Sequence, residues 1–115
     1  MANTFKVITK AGVTSADVIY TVAGSTTTII LGLIIGNTTS GAITSSVTLG
    51  TDTANRAGAN NETNQDVELI TSAAIPANSS LEFMGGNKII METTDTLTVT
   101  GSAAVDIALS VMEIT

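Results

Sequence analysis

The stretch that most constrains this chain is residues 26–37, TTTIILGLIIGN. Side chains alternate sides along a strand, so Ile29, Leu31, Leu33 and Ile35 are expected on one face, with Ile30 and Ile34 on the other. A ribbon apolar on both faces must be covered on both. In a chain of 115 residues a second sheet can cover one face, while the other calls for a long loop or another polypeptide. The expectation is a small all-β module that works as one part of an assembly.

The rest of the chain repeats the strand pattern. Residues 4–9 set Phe5 and Val7 against Lys6 and Ile8 and read as a first strand at a sheet edge, where a lysine reaches water. Residues 17–22 put Val18, Tyr20 and Val22 on one side. Residues 43–49 are the cleanest two-period segment: Ile43, Val47 and Leu49 share a face interrupted only by Ser45, opposite Thr44, Ser46 and Thr48. Residues 66–71 resume the alternation, with Val67 and Leu69 opposite Glu68 and Ile70. Pro76, the one proline, lacks an N–H and fixes its own torsion, which suits a corner between strands. Residues 81–84 and 88–92 read as a hairpin turned at Gly85, Gly86 and Asn87. Residues 93–95 turn a second hairpin into a strand over 96–100. The last strand, 105–114, puts Val105, Ile107, Leu109 and Val111 on one face and Asp106, Ala108, Ser110 and Met112 on the other.

No apolar face recurs at helical spacing for the ten or so residues that an ordinary helix needs. Eight or nine short strands with turn signals about every 8 to 12 residues predict an all-β fold, a single antiparallel β-sandwich domain over residues 1–115. A jelly roll and an immunoglobulin-like Greek key both fit. Residues 51–65, rich in Asn and Gly, form the longest expected loop.

Composition narrows the function. Charged residues make up 12% of the chain, against about a quarter in ordinary soluble proteins; Thr, Ser, Asn, Gly and Ala take their place. A weakly charged, Thr-rich chain of mean hydropathy +0.43 suits a surface packed against neighbours or built as ladders of β-branched side chains. The formal charge is −6, and Lys6, Lys10, Arg56 and Lys88 are scattered, so no basic patch offers itself to nucleic acid. The longest apolar run, residues 29–35, is far short of the roughly 20 that cross a bilayer as a helix. No membrane partner is expected. The opening residues lack a basic region followed by an apolar stretch, so no signal peptide is expected and a cytosolic origin is the default.

Chemistry-bearing groups are few. The chain has no Cys and no His, which removes thiolates and the commonest metal ligand and general base. Asp66 and Glu68 share a strand face, and Glu92 lies near Asp95, but a two-carboxylate hydrolase needs its pair in a cleft. Solvated strand edges are the simpler reading, and no catalytic residue is assigned. In residues 51–65, Asp52, Asn55, Asn60, Asn61 and Glu62 are oxygen donors, yet Ala54 and Arg56 occupy positions where an EF-hand loop needs ligands. No metal and no cofactor is assigned. Gly85, Gly86, Asn87 and Lys88 feed a strand, whereas a phosphate loop feeds a helix.

Several segments taken together carry a resemblance: residues 1–6 (MANTFK), Tyr20 and Thr21, residues 32–37 (GLIIGN), residues 75–81 (IPANSSL), residues 88–95 (KIIMETTD) and residues 109–114 (LSVMEI). The chain resembles small virion structural proteins of tailed bacteriophages, particularly phages of marine bacteria and cyanobacteria. Residues 51–65 depart from that pattern in length and Asn content. The resemblance implies a non-catalytic part of a particle, in the head or the tail, assembled in the host cytoplasm. The leading expectation is a capsid decoration or cement protein that bridges subunits of the major capsid protein, as a homo-oligomer, with a trimer the expected form. Ile30, Ile34, Phe83 and Met84 are the expected interface anchors. A tail, baseplate or fibre-network component is the alternative. A carbohydrate-binding module is a third reading, weakened by an aromatic content of 3%, because such sites stack sugars on exposed rings.

Overall fold

A computed structural model describes residues 2–51, 65–83 and 87–115. Among these, every regular element is a strand: β1 (Asn3–Val13), β2 (Asp17–Thr21), β3 (Thr27–Asn37), β4 (Ile43–Gly50), β5 (Asp66–Ile75), β6 (Ser80–Phe83), β7 (Ile89–Met91), β8 (Thr96–Gly101) and β9 (Val105–Ile114). The first sheet runs β1-β9-β3-β6, with β7 also paired to β3; the second runs β2-β8-β4-β5. Every pairing is antiparallel.

The pairing is nested. The first strand pairs with the last, β2 with β8, β3 with β6 and β7, and β4 with β5, so the chain behaves as a long hairpin rolled across two sheets. That order is a jelly roll, which decides between the two Greek-key topologies the sequence allows. Between the sheets lie Ile30, Leu33, Ile35, Val47, Ile75, Met91, Leu97, Val99, Val105, Leu109 and Val111, all essentially without solvent contact. The alternation expected for residues 105–114 is the one observed, and Ser45 interrupts the β4 face as expected. Its buried hydroxyl donates to the Thr100 carbonyl at 2.8 Å.

Bulges correct three face assignments. In β3, Ser110 opposes Gly32 but Val111 opposes Ile30, leaving Leu31 as an extra residue. An extra residue flips the parity of everything beyond it. Ile30 therefore joins Leu33 and Ile35 in the core, while Ile29 and Ile34 face outward. In β2 the register shifts between Val18 and Tyr20, so Tyr20 and Val22 point inward while Val18 is exposed. In β5, Ile70 opposes the buried Val47 while Glu68 opposes Thr48, leaving Leu69 as an extra residue, so Glu68 and Ile70 lie on opposite faces and not on one.

Both expected hairpins are corrected as well. β6 pairs with residues 33–36 of β3 and β7 with residues 28–30, making β6 and β7 successive pieces of one edge. The turn at residues 93–95 carries the chain from β7 in the first sheet to β8 in the second. Pro76 does stand at a corner, between β5 and β6, where the chain changes sheets. Asn37 holds that corner: its amide nitrogen lies 2.9 Å from the Gly41 carbonyl and 3.0 Å from those of Ile75 and Pro76.

Candidate interaction face

The two sheets turn different surfaces outward. On the second sheet, Thr48, Thr98 and Val18 stand side by side across three strands, flanked by Ser46 beside Thr100 and by Thr21 beside Thr96. Hydroxyls and methyls of this kind are at ease in water. On the first sheet, Phe5, Met112, Ile29 and Ile90 form one cross-strand row through β1, β9, β3 and β7. A second row places Thr9, Ala108, Ile34 and Glu82 side by side. Phe5 is 71% exposed, Val7 64%, Ile90 54% and Ile34 45%.

Small residues shape the middle of this face. Gly32, Ala108 and Ser110, with Ile34, Glu82, Leu33 and Phe83, line a shallow hollow of about 260 Å³ where the Leu31 bulge lies next to β6. Of the expected anchors among the described residues, only Ile34 is exposed on the outer surface. Ile30 is enclosed by the core, for the bulge reason given above. Phe83 opposes Leu33 on the inner side, half-buried against the core, and forms one wall of the hollow. Met84 lies outside the described residues. Phe5, Val7, Ile29, Ile90 and Met112 were not expected there; the signal for them was the alternation within their own strands, once a partner strand fixes which parity faces out.

Among the described residues the carboxylates do not gather into a cleft. Asp66 and Glu68 share the outer face of the edge strand β5, opposite Gly50 and Thr48, and Glu68 Oε2 accepts from the Thr71 hydroxyl at 3.0 Å. Asp95 is buried in its turn, where Oδ2 accepts the Glu92 N–H at 2.9 Å. The oxygen donors of residues 52–64 lie outside the described residues. One charge cluster among the described residues is one that sequence spacing could not reveal. Glu113 on β9 accepts from Tyr20 of β2 at 2.6 Å and pairs with Lys6 of β1 at 2.7 Å. The Thr28 hydroxyl lies 2.7 Å from the Tyr20 oxygen. The Lys6 ammonium, and then the Tyr20 hydroxyl, hold the Glu113 carboxyl below its ordinary range. Burial, and then the bond to Glu113, push the Tyr20 phenol from 10.0 up to about 12. These partners tie the edge strand β1 to both sheets.

No family model and no curated protein matches this chain. Among solved structures it is similar to a protein of Bacillus endospore appendages, a family of disulfide-linked pili, with 17% identity and a TM-score of 0.49 over 97% of this chain and 84% of that one. It is also similar to chains of infectious bursal disease virus. The Gx strain chain is 11% identical with a TM-score of 0.26, over 96% of this chain and 36% of that one. A chain of the T13 viral particle is 12% identical with a TM-score of 0.26, over 98% and 39%. This chain thus spans little more than a third of either viral chain.

Proposed function

We propose that this protein is a non-enzymatic structural component of a bacteriophage virion: a decoration protein that lays the outer face of its first sheet on the major capsid protein. The supporting observation is the contrast between the two outer faces. One is a field of threonines, while the other exposes Phe5, Val7, Ile34 and Ile90 around a hollow. Apolar side chains gathered in water on one face, where the other shows Val18 among threonines, are the expected mark of a face that another surface covers. The resemblance to small virion proteins of tailed phages supports this choice of particle. Binding in this reading comes from a few anchors desolvated at the centre of the contact, with Ile34 at the rim of the hollow.

Reconstitution tests it. Particles stripped of the protein are incubated with the parent chain or with Ile34→Asp, and occupancy is measured by density or by mass spectrometry. The parent should refill the heads, with a copy number that follows the capsid lattice, while Ile34→Asp should leave them bare though its circular dichroism is unchanged. Equal occupancy by both would remove Ile34 and its face from the contact. A copy number that follows the tail would transfer the protein to the tail, baseplate or fibre network.

A further inference from the structure

The four sheet edges formed by the described residues are unequal. β2 is five residues long and bulged at Ile19. β5 suffers two register shifts against β4 and carries Ser72 at a φ of 49°. The edge beyond β3 is split between β6 and β7, four and three residues long. Short, bulged and broken edges are how sheets avoid pairing with other chains. β1 has none of these devices over most of its length: it is eleven residues long, and its register with β9 is unbroken from Asn3 to Lys10. Its remaining defence would be lysine charge. Lys6 and Lys10, however, are paired within the chain, to Glu113 at 2.7 Å and Asp17 at 3.0 Å.

We propose that the outward edge of β1 pairs antiparallel with β1 of a second copy, about a two-fold axis at Val7, joining the first sheets of two protomers into one. The hydrogen-bond phase supports this. Ala2 and Thr115 exchange both main-chain bonds, at 3.2 and 3.0 Å. Bonds alternate along an antiparallel ladder, so Thr4, Lys6, Ile8 and Lys10 bond to β9, while Asn3, Phe5, Val7 and Thr9 turn their N–H and C=O groups to the open edge.

Charge selects the register. Opposed residues must share a face, so the axis falls on a residue of the strand and the choices are few. An axis at Lys6 sets Lys6 against its own mate, and an axis at Ile8 sets Lys6 against Lys10; both place like charges directly opposite. An axis at Phe5 runs off the start of β1, setting Ala2 against Ile8 and Asn3 against Val7. At Val7, Lys6 meets Ile8 and Lys10 meets Thr4, with the pairing kept between Thr4 and Lys10. On the outer face Val7 then meets Val7 and Phe5 meets Thr9, so side chains now in water cover one another. The apolar face of one protomer continues into that of the next. This pairing is two-fold, in contrast to the three-fold form expected from the sequence, and it does not depend on what the face contacts.

The test uses the full chain. The parent should have twice the 11.6 kDa chain mass in light scattering or sedimentation. In Val7→Pro the lost N–H is one that β9 does not use, and edge strands accept proline on their open side. That variant should keep the parent's circular dichroism and fall to the single-chain mass. Since the chain has no cysteine, an introduced thiol is unique. Val7→Cys mates would lie about 5.5 Å apart at Cα, within disulfide reach, whereas Phe5→Cys mates would be roughly 13 Å apart along the strands. Oxidation should cross-link Val7→Cys and leave Phe5→Cys single. A parent of single-chain mass, a Val7→Pro variant that keeps the double mass, or cross-linking of Phe5→Cys in place of Val7→Cys would each overturn the proposal.

Discussion

Tyr20 and Glu113, 93 positions apart in the sequence, meet at 2.6 Å and join the second sheet to the first. The phenol donates to the carboxylate, which leaves the buried Thr28 hydroxyl to donate to the phenol oxygen. Lys6 completes the cluster from β1. Tyr20→Phe keeps the ring's packing and removes only the oxygen. Thr28 is fully buried and would lose its acceptor, so the loss should be about 1–2 kcal/mol, read as a lower urea midpoint with an unchanged slope. In the same variant the Glu113 carboxyl should titrate closer to its ordinary range, as carboxyl NMR shifts would report.

The pH profile follows from the same pair. Glu113 is depressed in the fold, so its stabilisation is present above the unfolded carboxyl value of about 4.3 and is lost as pH falls through the folded value. Tyr20 moves the other way. Its stabilisation is present below 10.0 and is lost as pH rises toward about 12. Denaturant midpoints across pH should show a plateau with an acid and an alkaline limb. Tyr20→Phe should flatten the alkaline limb and Glu113→Gln the acid one; limbs unchanged in both variants would place the titrating groups elsewhere.

Strand content, the strong alternation of β4 and β9, the edge position of β1 and the corner at Pro76 were legible in the sequence, because each depends on local pattern or on one residue's backbone chemistry. What was not legible depends on partners. The Leu31 bulge exists only relative to β9, and nothing in residues 26–37 marks which residue is the extra one. In sequence, two strands separated by a pair of glycines look alike whether they pair with each other or, as β6 and β7 do, with the same third strand. The candidate face suffered most from this. A parity slip exchanged Ile30 for Ile29 in the assignment, while Phe5, Met112 and Ile90 needed three ladders to be aligned before they formed a row.

That slip is open to a direct test. Ile30 has no solvent contact and Ile34 is 45% exposed, although four positions along an unbroken strand would give them the same side. Ile30→Ala should cost about 3 kcal/mol through lost burial and a residual cavity. Ile34→Ala should cost about 0.5 kcal/mol, as surface truncations do. Thermal or urea unfolding of the two variants compares them directly, and equal losses would mean that β3 runs without its bulge.

Asn37 supplies the last expectation. Its amide nitrogen shares two N–H groups among the carbonyls of Gly41, Ile75 and Pro76, its oxygen accepts the Thr39 N–H and hydroxyl at 2.9 and 2.7 Å, and its own N–H donates to Ser79 at 2.8 Å. One buried side chain thus fastens the end of β3 to the corner through which the chain changes sheets. Asn37→Ala leaves those carbonyls without their donor and should cost about 3 kcal/mol. Asn37→Asp should cost more near neutral pH, because it removes both donors and sets a carboxylate among carbonyl oxygens. A midpoint for Asn37→Asp equal to the parent's at neutral pH would show that the three carbonyls find their donors elsewhere.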